Sequence, residues 1–596
     1  MFNLNKTWFT TKVLWSLYVM VILYFQSRGD IQTISLAPKD LILVGLGFIS
    51  LFLLSETFNH TCKSRISRTF WGIFLIILYY FGFKYHYRTT SGFDYATFIN
   101  NIRDAFNPES ANVILDTFKV KDLLMAAYAI PALIILELWK KIFSKNFEHR
   151  SLRFGVVLIA LYITAVFNSP YLYEKISYTV KTALDYHFKP TEKGALYSEL
   201  SKKENPFLTT FTSDNKDQKP HIFLVALESF NGLYINKKVE DKFVTPIINE
   251  LINEGLYIEH FYGNSIQTVK GHFSILCSRL PLIQGKASYK VSTDKVDCLP
   301  KTLESNGYQN FFFQSFGNLG FDNTQNFMEM MGFKNIKSAS PYLLTEAQRI
   351  ENIWGWGIQD NFSYKQFIDE SLELIKKSDR PLFSMMATIS HHMKFNRIPV
   401  SQRFLFPGEK GEGRKERFLN SLHLSDKYLG EFISLLKEKN LYENSLIIIT
   451  GDHSFPAGEH DYYSNEMGSF EENFKVPFIA IWKGKIEPKK IDHLAFSQID
   501  IAPTIYELIH FNGDARVMGQ SMLSATESFA PVLQPYDGQY IGAIEWPKKY
   551  VWSKRYDETL MYDLGNDPFE KRPQVVPSNT SLKVRDLFHF NEENLQ

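Results

Sequence analysis

Three apolar segments of this chain end in side chains that commonly bind metals. HIFLVALES ends at Glu228, SLIIITGDH ends at Asp452 and His453, and PLFSMMATISHH ends at His391 and His392. Two carboxylates with an imidazole suit a divalent ion such as Zn²⁺ or Mn²⁺ better than the oxygen-only sites of Ca²⁺ or Mg²⁺. Taken singly, each carboxylate is ordinarily a helix cap and each histidine a structural hydrogen-bonding group.

The segment SIQTVKGHFSILCSRLP, residues 265–281, offers a nucleophile. Its apolar residues recur at near-helical spacing and predict a helix that begins near Thr268. A hydroxyl at such a position ordinarily caps the helix. The same helix end presents free N–H groups that stabilise a phosphate, and a metal bound to the hydroxyl would lower its pKa enough for nucleophilic attack. The segment alone leaves Thr268 open between the two roles.

The elements that must position these residues are strands. Short apolar runs separated by helical stretches such as FIDESLELIKK are typical of buried parallel strands in an α/β sheet. Ligands of such sheets bind beyond the carboxyl ends of the strands. We therefore expect Glu228, Asp452, His453 and one of the two adjacent histidines to converge at one edge of a sheet.

Composition excludes several classes of protein. The 65 basic and 64 acidic residues give no overall positive field, so nucleic acid is not an expected partner. The three cysteines, Cys62, Cys277 and Cys298, exclude a disulfide scaffold and a multi-cysteine zinc site. A length of 596 residues predicts two or more domains.

The first third of the chain reads as a membrane anchor. Basic residues fill the N-terminus and alternate loops between apolar runs, which predicts a cytoplasmic N-terminus and an exported C-terminal part. The alternative is a set of buried core helices in a soluble protein. The expected domains are a five-helix transmembrane domain at 1–171, a juxtamembrane helix and linker at 172–219, and a catalytic domain at 220–596. The five runs are Lys12–Phe25, Leu41–Phe58, Phe70–Phe83, Leu123–Trp139 and Phe154–Phe167.

The ordered set of motifs resembles a known family. The strand-Glu, the threonine helix, the strand-His and the strand-Asp-His occur in the order found in lipoteichoic acid synthases and phosphoglycerol transferases. These belong to the sulfatase-like group of the alkaline phosphatase superfamily and are related to the lipid A phosphoethanolamine transferases. Further matching motifs are CLPKTLESNGYQNFFFQSFGN, FMEMMGF, WGWGIQDNFSYKQFID, TGDHSFP, VPFIAIW and SQIDIAPTIYELI. The resemblance implies an α/β domain with a mainly parallel central sheet flanked by helices.

The resemblance also implies a site. One divalent metal, Mn²⁺ or Zn²⁺, would be held by Glu228, Thr268, Asp452 and His453, and Thr268 would also be the nucleophile. The candidates for substrate binding are His392, preferred over His391 by spacing, Asn323 in QSFGNLGFDNTQNF and Trp354 in WGWGIQD. The sequence leaves Trp354 open between lining the pocket and packing in the core.

The implied activity is a two-step transfer. The phosphoglycerol or phosphoethanolamine group of phosphatidylglycerol or phosphatidylethanolamine would pass through a phosphothreonine to an envelope glycan or polymer. The expected location is the bacterial inner (cytoplasmic) membrane, as a multi-pass protein with its catalytic domain on the outer side. A phosphodiester hydrolase of the same fold and a non-catalytic membrane sensor or scaffold remain the alternatives.

Two departures from the related families limit what the resemblance implies. CSRLP lacks the proline and arginine placement of the sulfatase pattern C/S-x-P-x-R, which disfavours a sulfatase. Lipoteichoic acid synthases carry a His and an Arg that hold the glycerol phosphate. Here Ser315 or Phe316 and Thr324 or Gln325 stand at those positions, which leaves the transferred group and the acceptor open.

Cys277 and Cys298 lie 21 positions apart in the part of the chain expected to be exported. An oxidising compartment favours a disulfide between them. The alternative is a buried thiol on the helix and a second, unrelated thiol.

Overall fold

The structure is a computed structural model, and the chain forms two compact units, residues 1–190 and 191–596. The described residues are scattered positions between 46 and 99 and then 152–169, 175–188, 193–214, 218–283, 285, 287–291, 295–354, 357–536, 539–554 and 556–595.

The described part of the first unit consists mainly of helices α1, Leu152–Asn168, and α2, Lys175–Phe188. Helix α1 corresponds to the fifth apolar run, and it buries Tyr162 and Val166 while Val157 and Leu161 are exposed. None of the helices within the described residues has both the length and the apolarity that crossing a membrane requires. The runs at 12–25 and 123–139 lie outside the described residues, and those at 41–58 and 70–83 are described only at isolated positions.

The second unit is built on strands. Its central sheet and its hairpins are made from strands that are short and apolar where they are buried. The strands are β1 Leu208–Phe211, β2 His221–Leu227, β3 Lys238–Val239, β4 Lys242–Phe243, β5 Leu256–Tyr262, β6 Gln309–Gln314, β7 Asn335–Ser338, β8 Ile353–Trp354, β9 Gly357–Ile358, β10 Leu382–Ala387, β11 Ser445–Gly451, β12 Phe478–Ile481, β13 Lys489–Ser497, β14 Gly513–Arg516, β15 Ala530–Gln534, β16 Tyr540–Glu545, β17 Lys548–Ser553, β18 Glu558–Asp563 and β19 Gln574–Val576.

Helices alternate with these strands, as the sequence predicts for an α/β domain. They are α3 Ala195–Leu200, α4 Pro246–Leu251, α5 Thr268–Cys277, α6 Ala287–Lys290, α7 Leu299–Ser305, α8 Thr324–Met331, α9 Glu346–Asn352, α10 Asp360–Lys377, α11 Arg414–Glu438, α12 Glu471–Phe474, α13 Ile501–Leu508 and α14 Asn579–Leu595.

Eight strands form the central sheet in the order β13-β5-β12-β11-β2-β10-β6-β7. Only β12 runs antiparallel to its neighbours β5 and β11; the other paired strands are parallel. The mainly parallel sheet expected from the sequence is thus confirmed, with one reversed strand. Both faces are covered: along β2, Ile222 and Leu224 pack in one apolar core and Phe223 and Val225 in the other. Burial on both faces explains why these strands are continuous apolar runs.

The C-terminal part of the unit adds a second sheet. Strands β15 to β19 form a five-stranded antiparallel meander in sequence order. Strand β1 pairs with β14, so the end of the segment expected to be a linker at 172–219 lies in the second unit. Helix α3 is fixed to helix α14, because the backbone N–H groups of Gly194 and Tyr197 donate to the carboxylate of Asp586.

A disulfide joins Cys277, the last residue of α5, to Cys298, which precedes α7. Both cysteines lie in the apolar core that covers one face of the central sheet. Because the bond closes a loop of 21 positions, chain-entropy reasoning assigns it about 3 kcal/mol of stability.

Replacing both cysteines with alanine should lower the free energy of unfolding of the second unit by about 3 kcal/mol, because the unfolded chain regains the loop's freedom. The measurement is denaturant unfolding of the full chain, followed by a probe in the second unit. A thiol reductant should lower the stability of the unsubstituted protein and leave the double variant unchanged. Equal sensitivity of the two proteins to reductant would contradict this expectation.

Candidate functional site

The carboxyl ends of strands β2, β10 and β11 are level with one another. Gly451 pairs with Leu227 and Ala387 with Ala226, so all three strands end at the same edge of the sheet. Strand β5 points in the same direction, because it and β11 are both antiparallel to β12. The residues that follow these four strands therefore meet at one edge, which is where ligands of open α/β sheets bind.

Glu228, Asp452 and His453 form a buried cluster at this edge. One ligand atom from each lies within 4.8 Å of the others. His453 Nε2 is 3.7 Å from Glu228 Oε1 and 3.8 Å from Asp452 Oδ2. These are separations that a single ion placed among the three atoms could bridge. The cluster is the one group of potential metal ligands found among the described residues.

The imidazole of His453 is held in one orientation. Its Nδ1 lies 2.8 Å from the carbonyl oxygen of Ser454, so Nδ1 carries the proton and donates to that carbonyl. Nε2 is then the nitrogen with a free lone pair, and it is the one that faces the two carboxylates. A backbone carbonyl that fixes the outer nitrogen of a histidine is the usual support of a metal-binding imidazole.

The two carboxylates are placed where their charges repel. Burial raises the pKa of Glu228 well above its ordinary value, and the neighbouring Asp452 carboxylate raises it further. The Ser229 hydroxyl opposes this effect by donating to Glu228 Oε1 at 2.7 Å. Asp452 Oδ1 accepts from the backbone N–H groups of Ser229 and His453 at 2.9 and 2.7 Å. Two buried carboxylates and a lone-pair nitrogen form a donor set that fits a divalent cation.

Thr268 is the first residue of helix α5, and its side chain is half-buried. The N-cap is the preceding residue, Gln267, whose backbone is extended and whose side chain makes no capping hydrogen bond. Thr268 is therefore not the N-cap residue, although a hydroxyl at a helix start ordinarily has that role. The helix begins six residues after strand β5 ends, at the same edge of the sheet as the cluster. Its N-terminal N–H groups and dipole favour an anion there.

Gly271 allows helix α5 to approach the strand that carries the cluster. A Cβ atom at this position would lie 1.9 Å from the carbonyl oxygen of Asp452, so no other residue fits without displacing backbone. Gln498 also holds this backbone, since its Nε2 donates to the carbonyls of Gly451 and Asp452 at 2.8 and 2.7 Å. The first turn of α5 is thereby packed directly against the segment that carries Asp452 and His453.

His391 and His392 follow strand β10 and differ in their surroundings. His391 is fully buried against the rings of Phe395 and Phe418, with centroid distances of 4.8 and 4.7 Å. His392 is half-buried, and its Nδ1 contacts the carbonyl of Met393 at 2.8 Å. Burial lowers the pKa of His392 to about 4. Its pKa also responds to the charges of Asp452 and His453, which places His392 within electrostatic range of the cluster.

The other two predicted substrate-binding residues are less directly placed. Asn323 occupies a left-handed turn before α8; its Nδ2 donates to the Ser288 carbonyl at 2.6 Å and its Oδ1 accepts from Asn326. Trp354 lies in strand β8, and the orientation of its side chain lies outside the described residues. Strand β9 packs closely on the residue after β6, because a Cβ at Gly357 would lie 2.3 Å from the Ser315 carbonyl oxygen.

Asp360 is a residue of the site that the sequence analysis passed over. Its carboxylate accepts hydrogen bonds from the backbone N–H groups of Ile389 and Ser390 at 2.9 and 2.8 Å, and its own N–H donates to the Ser390 hydroxyl. It therefore fixes the turn that carries His391 and His392. Burial raises the pKa of Asp360, and these hydrogen bonds lower it. Its position as the first residue of a helix after WGWGIQ was the available signal.

Comparisons with known proteins show which families this chain is similar to. The sulfatase family model matches residues 220–511. The chain is 26% identical to the lipoteichoic acid synthase of Staphylococcus saprophyticus over 98% of this chain and 90% of that protein. It is 25% identical to the lipoteichoic acid synthase-like YvgJ of Bacillus subtilis, where the match covers 62% of this chain and 61% of that protein.

The same fold occurs in solved structures. The lipoteichoic acid synthase LtaP of Listeria monocytogenes superposes with a TM-score of 0.53 at 20% identity, over 65% of this chain and 94% of that one. A protein of the alkaline phosphatase superfamily from Vibrio parahaemolyticus superposes with a TM-score of 0.54 at 22% identity, over 67% of this chain and 94% of that one. Residues 220–511 therefore resemble the sulfatase family, and the chain is similar to a lipoteichoic acid synthase over nearly its whole length.

Proposed function

We propose that this protein is a membrane-anchored, metal-dependent transferase that moves a phosphoglycerol or phosphoethanolamine group from a phospholipid to an envelope glycan or polymer. The observation that supports it most is the buried cluster of Glu228, Asp452 and His453 beside the N-terminus of the helix that begins with Thr268. The names of the relatives, lipoteichoic acid synthases, support phosphoglycerol as the transferred group. The exposed apolar face of α1 supports the membrane anchor.

Each residue of the site has a role in this proposal. Glu228, Asp452 and His453, with Thr268, would hold a divalent ion, Mn²⁺ or Zn²⁺. When bound, such an ion lowers the pKa of a hydroxyl and offsets the charge of a phosphate. The N-terminal N–H groups of α5 add to the stabilisation of the phosphate. His392 lies beside the transferred group, and Asp360 positions the turn that carries it.

The transfer balances in two steps. Thr268 Oγ forms a bond to the phosphorus of the lipid head group, the bond from phosphorus to the diacylglycerol oxygen breaks, and the threonine proton leaves with diacylglycerol. A hydroxyl oxygen of the acceptor then bonds to the same phosphorus, the bond to Thr268 breaks, and the acceptor's proton returns to Thr268. Water in place of the acceptor would give hydrolysis, which is the related alternative.

A sulfatase activity is not supported by the residues of helix α5. Sulfatases require a modified Cys or Ser in a defined pattern, and CSRLP lacks that pattern. Cys277, the cysteine of this segment, is joined to Cys298 and buried. A cysteine in a disulfide is not available as a thiolate nucleophile.

Thr268→Ala should reduce release of diacylglycerol from phosphatidylglycerol or phosphatidylethanolamine by about 10³-fold or more, because the attacking oxygen is removed. Thr268→Ser keeps a hydroxyl and should retain part of the activity. The assay uses head-group-labelled lipid with the full chain, and mass spectrometry of the unsubstituted protein should find the transferred group on Thr268. Normal turnover by the alanine variant would exclude Thr268 as the nucleophile. A product that forms only with water, whatever acceptor is added, would favour the hydrolase.

Removing the metal should be detectable without any assay of turnover. The purified protein should contain about one divalent ion per chain, as measured by elemental analysis, and Asp452→Asn should lose it because one of the two carboxylates is neutralised. Adding Mn²⁺ or Zn²⁺ at about 100 times its dissociation constant to chelated protein should stabilise it by about 2.7 kcal/mol. Asp461→Asn, in an exposed position of the same loop, serves as the control. Equal metal content in both variants would contradict the assignment of the site.

Asp360→Asn should lower kcat by about tenfold with little change in KM. An asparagine amide group would face a backbone N–H that now has a carboxylate partner, at a cost of about 1–3 kcal/mol. The turn that carries His392 would shift, while the residues that follow the other strands of the sheet would keep their positions. The control is Asp369→Asn, an exposed residue of the same helix. A change confined to thermal stability, with kcat unaffected, would show that Asp360 is only structural.

A further inference from the structure

Exposed apolar side chains of the second unit concentrate at the edge of the sheet that carries the candidate site. Among its described residues, ten large apolar side chains are exposed, and six of them lie in the segments 236–243, 340–349 and 392–404. We call these three segments the rim. The six residues are Phe243, Tyr342, Leu343, Met393, Val400 and Phe404. Tyr342 is 83% exposed and Val400 64%.

The three segments share one edge because of the strands that they follow. Segment 236–243 comes after β2, segment 392–404 after β10 and segment 340–349 after β7. Strands β10, β6 and β7 end level, since Ala387 pairs with Gln314 and Gln314 with Ser338. The exposed residues therefore lie at the same edge of the sheet as Glu228, beyond the carboxyl ends of the strands.

The rim segments are also anchored on one core. Each contains or adjoins side chains buried in the apolar cluster on a single face of the sheet. These anchors are Ile235, Val244, Ala339, Leu344, Phe395, Ile398 and Leu405. The exposed residues alternate with these buried ones, which anchor each segment. The exposure of the apolar side chains is therefore not a result of loose packing.

Cations accompany the exposed rings of the rim. Lys238 lies over Phe243 at 4.5 Å, Lys242 over Phe404 at 4.1 Å and Arg349 over Tyr342 at 5.8 Å. Lys242 Nζ also donates to the Phe404 carbonyl at 2.9 Å, which joins two rim segments into one surface. The rim has seven basic and three acidic residues, whereas the whole chain is nearly neutral.

Apolar and aromatic side chains mixed with lysine and arginine suit the interface of a bilayer. The rings and aliphatic tips enter the boundary between head groups and acyl chains, while the cations stay at the level of the phosphates. An excess of positive charge favours anionic lipid, at about 1 kcal/mol for each basic residue near the surface. If the partner of this surface were a protein, its binding would depend less on the charge of the surrounding lipid.

We propose that the rim rests on the surface of an anionic phospholipid bilayer and presents the site at Glu228 and Thr268 to lipid head groups. This rests on the proposed function, because it requires a donor that lies in a membrane. It assigns the exposed apolar and basic residues of the rim a role in access to the donor; the role proposed above for His392, at the start of the third segment, is separate.

Contact with lipid can be measured independently of catalysis. A fluorescent label on Val400→Cys, in a full chain that also carries Cys62→Ser, is placed in nanodiscs whose lipids carry nitroxides on their acyl chains. The matched control is the same label on Val575→Cys, an exposed apolar residue of β19. Nitroxide should quench Val400→Cys several-fold more than Val575→Cys, and replacing anionic with zwitterionic lipid should weaken that quenching. Equal quenching at both sites, or none at Val400→Cys, would overturn the proposal.

Substrate form separates access from chemistry. The double variant Leu343→Ser with Val400→Ser should turn over a bilayer donor about tenfold more slowly, and a soluble short-chain phosphatidylglycerol at a rate within about twofold of the parent. Phe569→Ser with Val575→Ser, exposed residues outside the rim, should leave both rates unchanged. Equal loss on both donors, or no loss on either, would count against the rim. If the parent turns over neither donor, the proposed function fails, and the quenching result still decides the rim.

Discussion

The site depends on two buried carboxylates, of Glu228 and Asp452, that the fold places close together. Glu228 and Asp452 follow adjacent parallel strands that end level, so their burial and proximity are consequences of strand register. Burial and the Asp452 charge raise the pKa of Glu228 well above its ordinary value. A bound cation would offset the repulsion between the two carboxylates and so stabilise the fold. The imidazole nitrogen that faces the carboxylates would supply a third ligand for that cation.

Helix α5 adds a hydroxyl and a helix N-terminus to this cluster. The absence of a side chain at Gly271 lets the first turn of the helix contact the backbone of Asp452, and the disulfide at Cys277 ties down the other end of the same helix. The nucleophile candidate Thr268 and the ligand Asp452 are therefore positioned by one packing contact. Small displacements of catalytic groups strongly reduce rates, so a glycine at this position bears on function as well as on packing.

The parts of the structure that follow from periodicity and strand termini were predictable. HIFLVALES and SLIIITGDH each predicted a buried strand that ends at potential metal ligands. Both strands are present, as the neighbouring parallel strands β2 and β11 of the central sheet. Asp360 was missed because its partners are backbone N–H groups of a distant turn, and the signal in the sequence is limited to its position at the start of a helix. The antiparallel meander after residue 530 was also missed, since none of the residue patterns that could do chemistry lies at the ends of its strands. Residue periodicity and strand ends do not reveal a side chain whose partners are backbone groups. They also do not reveal a sheet whose strands carry no candidate site residues.

The resemblance to the synthases links the choice of the transferred group to positions where this chain differs from them. Ser315 or Phe316 and Thr324 or Gln325 are neutral where those proteins carry a histidine and an arginine. In a transferase built in this way, the charge of the phosphate would have to be balanced by the bound ion and by the N–H groups of helix α5. The neutral residues would then contact only the alcohol of the head group. Discrimination between glycerol and ethanolamine would rest on hydrogen bonds and shape, so exchanging these few side chains is the direct route to altering which group is carried.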